Sequence, residues 1–131
     1  MNACTIAIDQ STSATKAMLF DAKCKLLYRS TLSHEQYYPQ PSWVEHDAEA
    51  IYQNTLAAVR NVIENTHFAD TDSVSLAITN QRETVVVWNA ETGKPVYNAV
   101  VWQCQRGAEI CKTLIDSGFN PLFKQKTGLL I

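Results

Sequence analysis

Residues 9–16 read Asp-Gln-Ser-Thr-Ser-Ala-Thr-Lys, which places a carboxylate, four hydroxyls and an ammonium within one octapeptide. A triphosphate asks for backbone N–H groups, hydroxyl donors, a cation and a magnesium ion held by hard oxygen. Asp9 can hold magnesium directly or through water. The turn Ser11–Ala14 can present N–H and hydroxyl groups to phosphate oxygens, and Lys16 can neutralise phosphate charge. Read alone, such an octapeptide is more often a serine-rich hairpin turn with a solvated lysine.

Asn80-Gln81-Arg82-Glu83-Thr84 lies between two apolar segments. Arginine offers a fork of donors and an ionised glutamate only accepts, so the pair can hold neighbouring hydroxyls of a polyol. The bland alternative is a surface turn with a weak ion pair. Trp102 closes the apolar run NAVVW and can pack on a ligand's carbon chain, or serve as a core ring. The rest reads as structure. Glu45-His46-Asp47 reads as a loop and helix cap, and His34 and His67 have no partner at metal-ligand spacing. Ser11, Thr12 and Ser13 have no nearby histidine base, so no nucleophilic triad is indicated.

Composition narrows the class. At 131 residues the chain is the size of one domain and can remove roughly two-thirds of its surface from water. An apolar fraction of 46% against 18% charged marks it as globular. The net charge of −2 and the lack of a basic run argue against nucleic-acid binding or a polybasic membrane anchor. No apolar run is long enough to span a bilayer, and the N-terminus lacks the basic region of a signal peptide, so a cytoplasmic location is expected. The cysteines at 4, 24, 104 and 111 form no CxxC pair and read as reduced thiols. The first glycine is Gly93, which excludes a Walker A loop or a GxGxxG fingerprint before it.

The elements that must position these residues can be read in order. Residues 3–9, 15–21 and 26–35 read as three strands in a meander. A proline-punctuated loop spans 37–46. Asp47 is an N-cap for a helix to about Asn65, with Ile51, Leu56, Val59, Val62 and Ile63 on one face. A polar loop with an acidic tip covers 66–72. Strands are expected at 73–79, 84–88 and 98–102, with Gly93 at positive φ in the turn 89–95. A helix is expected over 103–116, with Ile110, Leu114, Cys104 and Cys111 inward, then Gly118 at C′ and a short helix from Asn120 to near Gly128. The apolar tail Leu129–Ile131 suggests a polypeptide cut inside a larger protein. This order fits an α/β domain, and a ribonuclease H-like fold is one compatible choice.

The segments IDQSTSATKAMLFD (8–21), YPQPSWVEHD (38–47), ITNQRETVVVW (78–88), ETGKPVYNAVVWQCQR (91–106) and KTGLL (126–130) together resemble the FGGY carbohydrate kinases. NQRET and PVYNAVVWQC resemble the glycerol kinase branch in particular. The resemblance covers nearly the whole chain. It implies the N-terminal portion of the first of two ribonuclease H-like domains, in the superfamily of sugar kinases, heat-shock chaperones and actin. ATP and Mg2+ would bind between those domains. By the same resemblance Thr12, Ser13 and Ala14 contact ATP or product phosphate, Lys16 meets the nucleotide phosphates, and Asp9 lies near magnesium. Arg82 and Glu83 bind glycerol hydroxyls and Trp102 packs on the glycerol backbone.

The implied activity is ATP-dependent phosphorylation of glycerol to glycerol 3-phosphate, in an oligomer of identical chains. The proton-abstracting aspartate and the adenine-binding domain would lie beyond residue 131, so the chain alone is expected to be inactive. Members of the glycerol kinase branch usually read DQGTTSSR where this chain reads DQSTSATK. Ser11 stands for a glycine, Ala14 lacks a hydroxyl, and Lys16 replaces an arginine and cannot make its planar bidentate contact. The alternatives are an FGGY kinase for erythritol, xylulose or gluconate, and a non-catalytic polyol- or nucleotide-binding protein.

Overall fold

The computed structural model describes residues 3–69 and 72–131. The acidic loop tip at 70–71 lies outside the described residues, as do residues 1–2.

Three strands open the chain: β1 (Ala3–Gln10), β2 (Ala14–Asp21) and β3 (Leu26–Ser33). They are antiparallel neighbours, with Asp9 opposite Lys16 and Gln10 opposite Thr15. Helix α1 (Ala48–Glu64) crosses over to β5 (Ser73–Thr79), which pairs parallel to β1. The result is a four-stranded sheet in the order β3-β2-β1-β5, with the meander and crossover expected of a ribonuclease H-like half-domain.

Alternation along the strands sorts the side chains. Ile6 and Ile8 of β1 and Ala17 and Leu19 of β2 face α1 and form the core with Ala58 and Val62. Asp9 and Lys16 have the opposite parity and stand on the other face of the sheet. Helix α1 begins as expected, because the Asp47 side chain accepts from the Glu49 and Ala50 amides. Its inward face is narrower than expected. Leu56 and Ile63 are 41% and 49% exposed, since each lies about 100° or more around the helix from Ala58 and Val62.

Strand β5 is an edge. Its Leu76 and Ile78 continue the apolar rows of Ile6 and Ile8, yet both are exposed because α1 covers β1–β3 and stops short of β5. Leu129 and Leu130 are exposed as well. Unpaired edge and apolar surface of this kind promote association.

A second, two-stranded sheet departs from the sequence reading. β4 (Glu45–His46), inside the loop 37–46, pairs with β6 (Ala99–Val100). The expected strand at 98–102 shrinks to those two residues. The expected strand at 84–88 does not form a ladder; among the described residues the segment joins only through the single bridges Val85–Val100 and Trp88–Pro95. Its run of valines is mostly exposed, so no second sheet face completes it. Gly93 has φ 69°, as the turn requires.

The next helix, α2 (Ala108–Asp116), starts five residues later than expected, because residues 101–107 fold as turns. Cys104 therefore shares no helix face with Cys111. Ile110 and Cys111 are exposed, while Leu114 and the turn residue Cys104 are half-buried. Gly118 and the closing helix α3 (Asn120–Thr127), capped by left-handed Gly128, agree with expectation. All four cysteines are free thiols. Among the described residues no helix is long and apolar enough to cross a membrane.

Candidate active site

The ends of β1 and β5 carry the two motifs to one place. β1 delivers Asp9 and the hairpin turn after it. β5 runs parallel beside it and delivers Asn80–Glu83. A cleft of about 370 Å³ opens between them. Of the residues singled out from sequence, Asp9, Thr12, Arg82, Glu83 and Trp102 line it, joined by Gln10, Ser11, Asn80 and Gln81. A larger cavity of about 700 Å³ lies at the opposite end of the sheet, around Cys4, Leu19 and Phe68. It holds none of the residues the two motifs supply, so the smaller cleft is the candidate site.

The turn is closed by Ser11, whose amide and hydroxyl both bond the Ala14 carbonyl, at 3.1 and 2.8 Å. Ser11 does not adopt a left-handed φ, so serine in place of glycine strains nothing here. The amides of Thr12 and Ser13 make no hydrogen bond among the described residues and are open to an anion. Ser13 is exposed and Ala14 is buried; neither lines the cleft. Lys16 does not line it either. Its Nζ donates to Asp9 Oδ2 at 2.9 Å across the β1–β2 ladder, with both side chains about one-third exposed.

Trp102 is not a core ring. It is 54% exposed, and its indole N–H donates to Thr12 Oγ1 at 3.0 Å. That bond links Trp102 to the β1–β2 hairpin turn and leaves the Thr12 hydroxyl proton free to donate. Arg82 and Glu83 are exposed and form no ion pair among the described residues. Glu83 sits at φ 60°, a left-handed conformation that a non-glycine residue adopts at a cost of about 1–3 kcal/mol. Gln81 Nε2 and Thr84 Oγ1 are buried without a partner among the described residues, so the turn holds uncommitted polar atoms beside the cleft.

Magnesium fits the donor set. The described residues contain no group of three or more His, Cys, Asp or Glu able to cage a metal. A single carboxylate suits a cation that keeps its waters and takes its other ligands from phosphates. Asp9 has Oδ2 on Lys16 and no hydrogen bond to Oδ1 among the described residues.

Sequence reasoning missed a buried charged network around Glu45. Glu45 is only 2% exposed and bonds Tyr97 Oη at 3.0 Å, Asn98 Nδ2 at 3.0 Å and the Arg106 guanidinium. Arg106 also lies 4.0 Å over the Trp43 ring and donates to Cys104 Sγ at 2.9 Å. Burial alone pushes the Glu45 carboxyl up, but the bonds from Arg106, Asn98 and Tyr97 outweigh it and hold it below the ordinary carboxylate value. The stability this contributes is full above about pH 4.5 and is lost as pH falls through the lowered value. Glu45→Gln is expected to destabilise the full-length protein by about 1–2 kcal/mol at neutral pH and to flatten that acid loss. Denaturant midpoints measured against pH check both. The sequence signal was the Glu45-His46 pair just ahead of the Asp47 cap.

The comparisons with known proteins follow this geometry. The model of the FGGY family of carbohydrate kinases, N-terminal domain, matches residues 4–131. The chain belongs to the FGGY family of carbohydrate kinases. Among FGGY relatives, glycerol kinase 1 of Thermotoga maritima is 55% identical over 126 residues, which is 96% of this chain and 26% of that protein. The crystal structure of Plasmodium falciparum glycerol kinase with ADP superposes with a TM-score of 0.83 at 34% identity, covering 98% of this chain and 26% of that one. Gluconate kinase from Lactobacillus acidophilus superposes at 0.88 with 16% identity over 98% of this chain and 25% of its own, a likeness of fold. The FGGY chain thus spans about a quarter of the length of the curated relatives it matches.

Proposed function

We propose that these 131 residues are the N-terminal portion of the first domain of a cytoplasmic, ATP- and Mg2+-dependent glycerol kinase that works as an oligomer of identical chains. The observation that carries this reading is the shared cleft, in which Asp9 and Thr12 of the turn meet Arg82, Glu83 and Trp102. The 55% and 34% identity to glycerol kinases supports glycerol as the polyol.

Phosphoryl transfer depends mainly on alignment and charge neutralisation. Arg82 donates to one hydroxyl and Glu83 accepts from its neighbour, which sets the polyol's direction. The half-exposed Trp102 ring covers its carbon chain and limits water. The free amides of Thr12 and Ser13 and the Thr12 hydroxyl meet phosphate oxygens. Lys16, now on Asp9, supplies positive charge at the same edge. Magnesium, when bound, neutralises phosphate charge, and Asp9 is the residue that would hold it.

The test is phosphorylation by the full-length protein with magnesium-ATP, comparing kcat/KM for glycerol, erythritol, xylulose and gluconate. Preference for glycerol supports the reading. Preference for another substrate reassigns the pocket, and absence of turnover with all four overturns catalysis in favour of a binding role. Residues 1–131 purified alone are expected to show no turnover. A rate above background in that piece, free of contaminating kinase, refutes the domain assignment.

A further inference from the structure

Thr12 and Trp102 belong to different parts of the fold. Thr12 lies in the turn after β1 of the four-stranded sheet, and Trp102 lies just past β6 of the two-stranded sheet. The backbone around Trp102 is fastened from the β4 side. The Val101 amide donates to the Val44 carbonyl at 3.1 Å and the Gln105 amide to the Ser42 carbonyl at 2.8 Å. The Cys104 amide closes the turn on the Val101 carbonyl at 2.8 Å. None of these bonds holds the indole. The ring is 54% exposed, and its N–H donates to Thr12 Oγ1 at 3.0 Å. An indole N–H only donates, so the hydroxyl oxygen must accept, and atom type alone fixes the direction of this bond. Among the described residues neither atom has a second hydrogen-bond partner.

We propose that Thr12 is a positioning residue for the polyol half of the cleft. Its hydroxyl oxygen holds the Trp102 ring in place before any nucleotide binds, and its proton stays available to a phosphate oxygen. One hydroxyl thus serves both halves of the cleft.

The reason is preorganisation. A ring held at its backbone and at its nitrogen edge has given up its rotamer freedom on folding. A ring held at its backbone alone must give it up when the polyol arrives, and ordering a side chain on binding lowers affinity. Thr12 can act as the anchor because its own turn is fixed. Gln10 pairs with Thr15 across the ladder, and Ser11 closes on the Ala14 carbonyl through both its amide and its hydroxyl. Thr12 does not sit at positive φ, and valine has the shape of threonine, so Thr12→Val removes the acceptor and leaves the turn intact.

The proposal rests on the glycerol reading of the cleft, and the experiment separates the two. Glycerol binding to the full-length protein is measured by calorimetry with no nucleotide present, where a residue serving phosphate alone has no effect. Thr12→Val is expected to weaken glycerol binding by roughly three- to tenfold. Thr12→Ser keeps the acceptor and is expected to restore most of that loss. In a Trp102→Phe background there is no indole N–H to place, and Thr12→Val is expected to change the glycerol Kd by less than about twofold. Equal Kd values for wild type and Thr12→Val overturn the proposal and leave the glycerol reading standing. No glycerol binding by the wild type overturns both. The Trp102 indole proton, identified by its absence from the NMR spectrum of Trp102→Phe, reads the bond without any ligand. It is expected to exchange with water faster in Thr12→Val than in the wild type or Thr12→Ser. Unchanged exchange overturns the proposal whatever the affinities.

Discussion

Asp9→Asn in the full-length protein is expected to lower kcat by about 100-fold or more while leaving glycerol KM within a few-fold. Removing one preorganised charge or donor aimed at charge in a transition state costs on the order of 10²–10³ in rate. The amide keeps the shape of the carboxylate it replaces and loses the anion that would hold magnesium. The fold should survive. The Asp9–Lys16 pair is about one-third exposed on both sides, and exposed pairs contribute only about 0–1 kcal/mol. The core residues lie on the opposite face of the sheet from Asp9. Steady-state rates at several magnesium concentrations decide the matter. A loss in kcat that higher magnesium partly recovers supports the assignment. Wild-type rate and magnesium dependence would make Asp9 a structural partner of Lys16 and nothing more.

Arg82→Ala is expected to act on the other kinetic constant. A charge-assisted contact with a bound hydroxyl is worth about 1.5–3 kcal/mol, on the order of 10- to 100-fold in glycerol KM. Arg82 is exposed and lies outside the core, so thermal stability should move by less than about 0.5 kcal/mol. ATP KM should change little, because the turn proposed to meet phosphate belongs to the β1–β2 hairpin and Arg82 to the loop after β5. Initial rates over a matrix of glycerol and ATP concentrations separate the two constants. Unchanged glycerol kinetics would remove Arg82 from the substrate site, and a rise confined to ATP KM would move it to the nucleotide side.

What was legible in the sequence was written in short-range physics. β1 showed as a short apolar, partly β-branched run, the start of α1 as the Asp47 cap, the turn at Gly93 as the need for positive φ, and Gly118 and Gly128 as helix ends. DQSTSATK and NQRET carried donors and acceptors that suit a phosphate and a polyol, a capability fixed by residue type, but each read alone was more often an ordinary turn, and the resemblance to the FGGY kinases gave them their roles. What only the tertiary structure decided depends on partners far away along the chain. β4 and β6 are two residues each, too short to show a period, and exist only because they pair across more than fifty positions. The valines of 84–88 have a strand's composition but find single bridges where a strand needs a ladder. Leu56 and Ile63 looked like core until the width of the sheet beneath α1 set which face was covered. His34, isolated by spacing, acquires Gln10, Thr15 and Asn54 through strand parity and helix packing. Trp102 meets Thr12 across ninety residues. Residue type and near neighbours determine conformation, capping and chemical capability. Which capabilities converge on one cleft is set by register and packing, which a linear spacing does not encode.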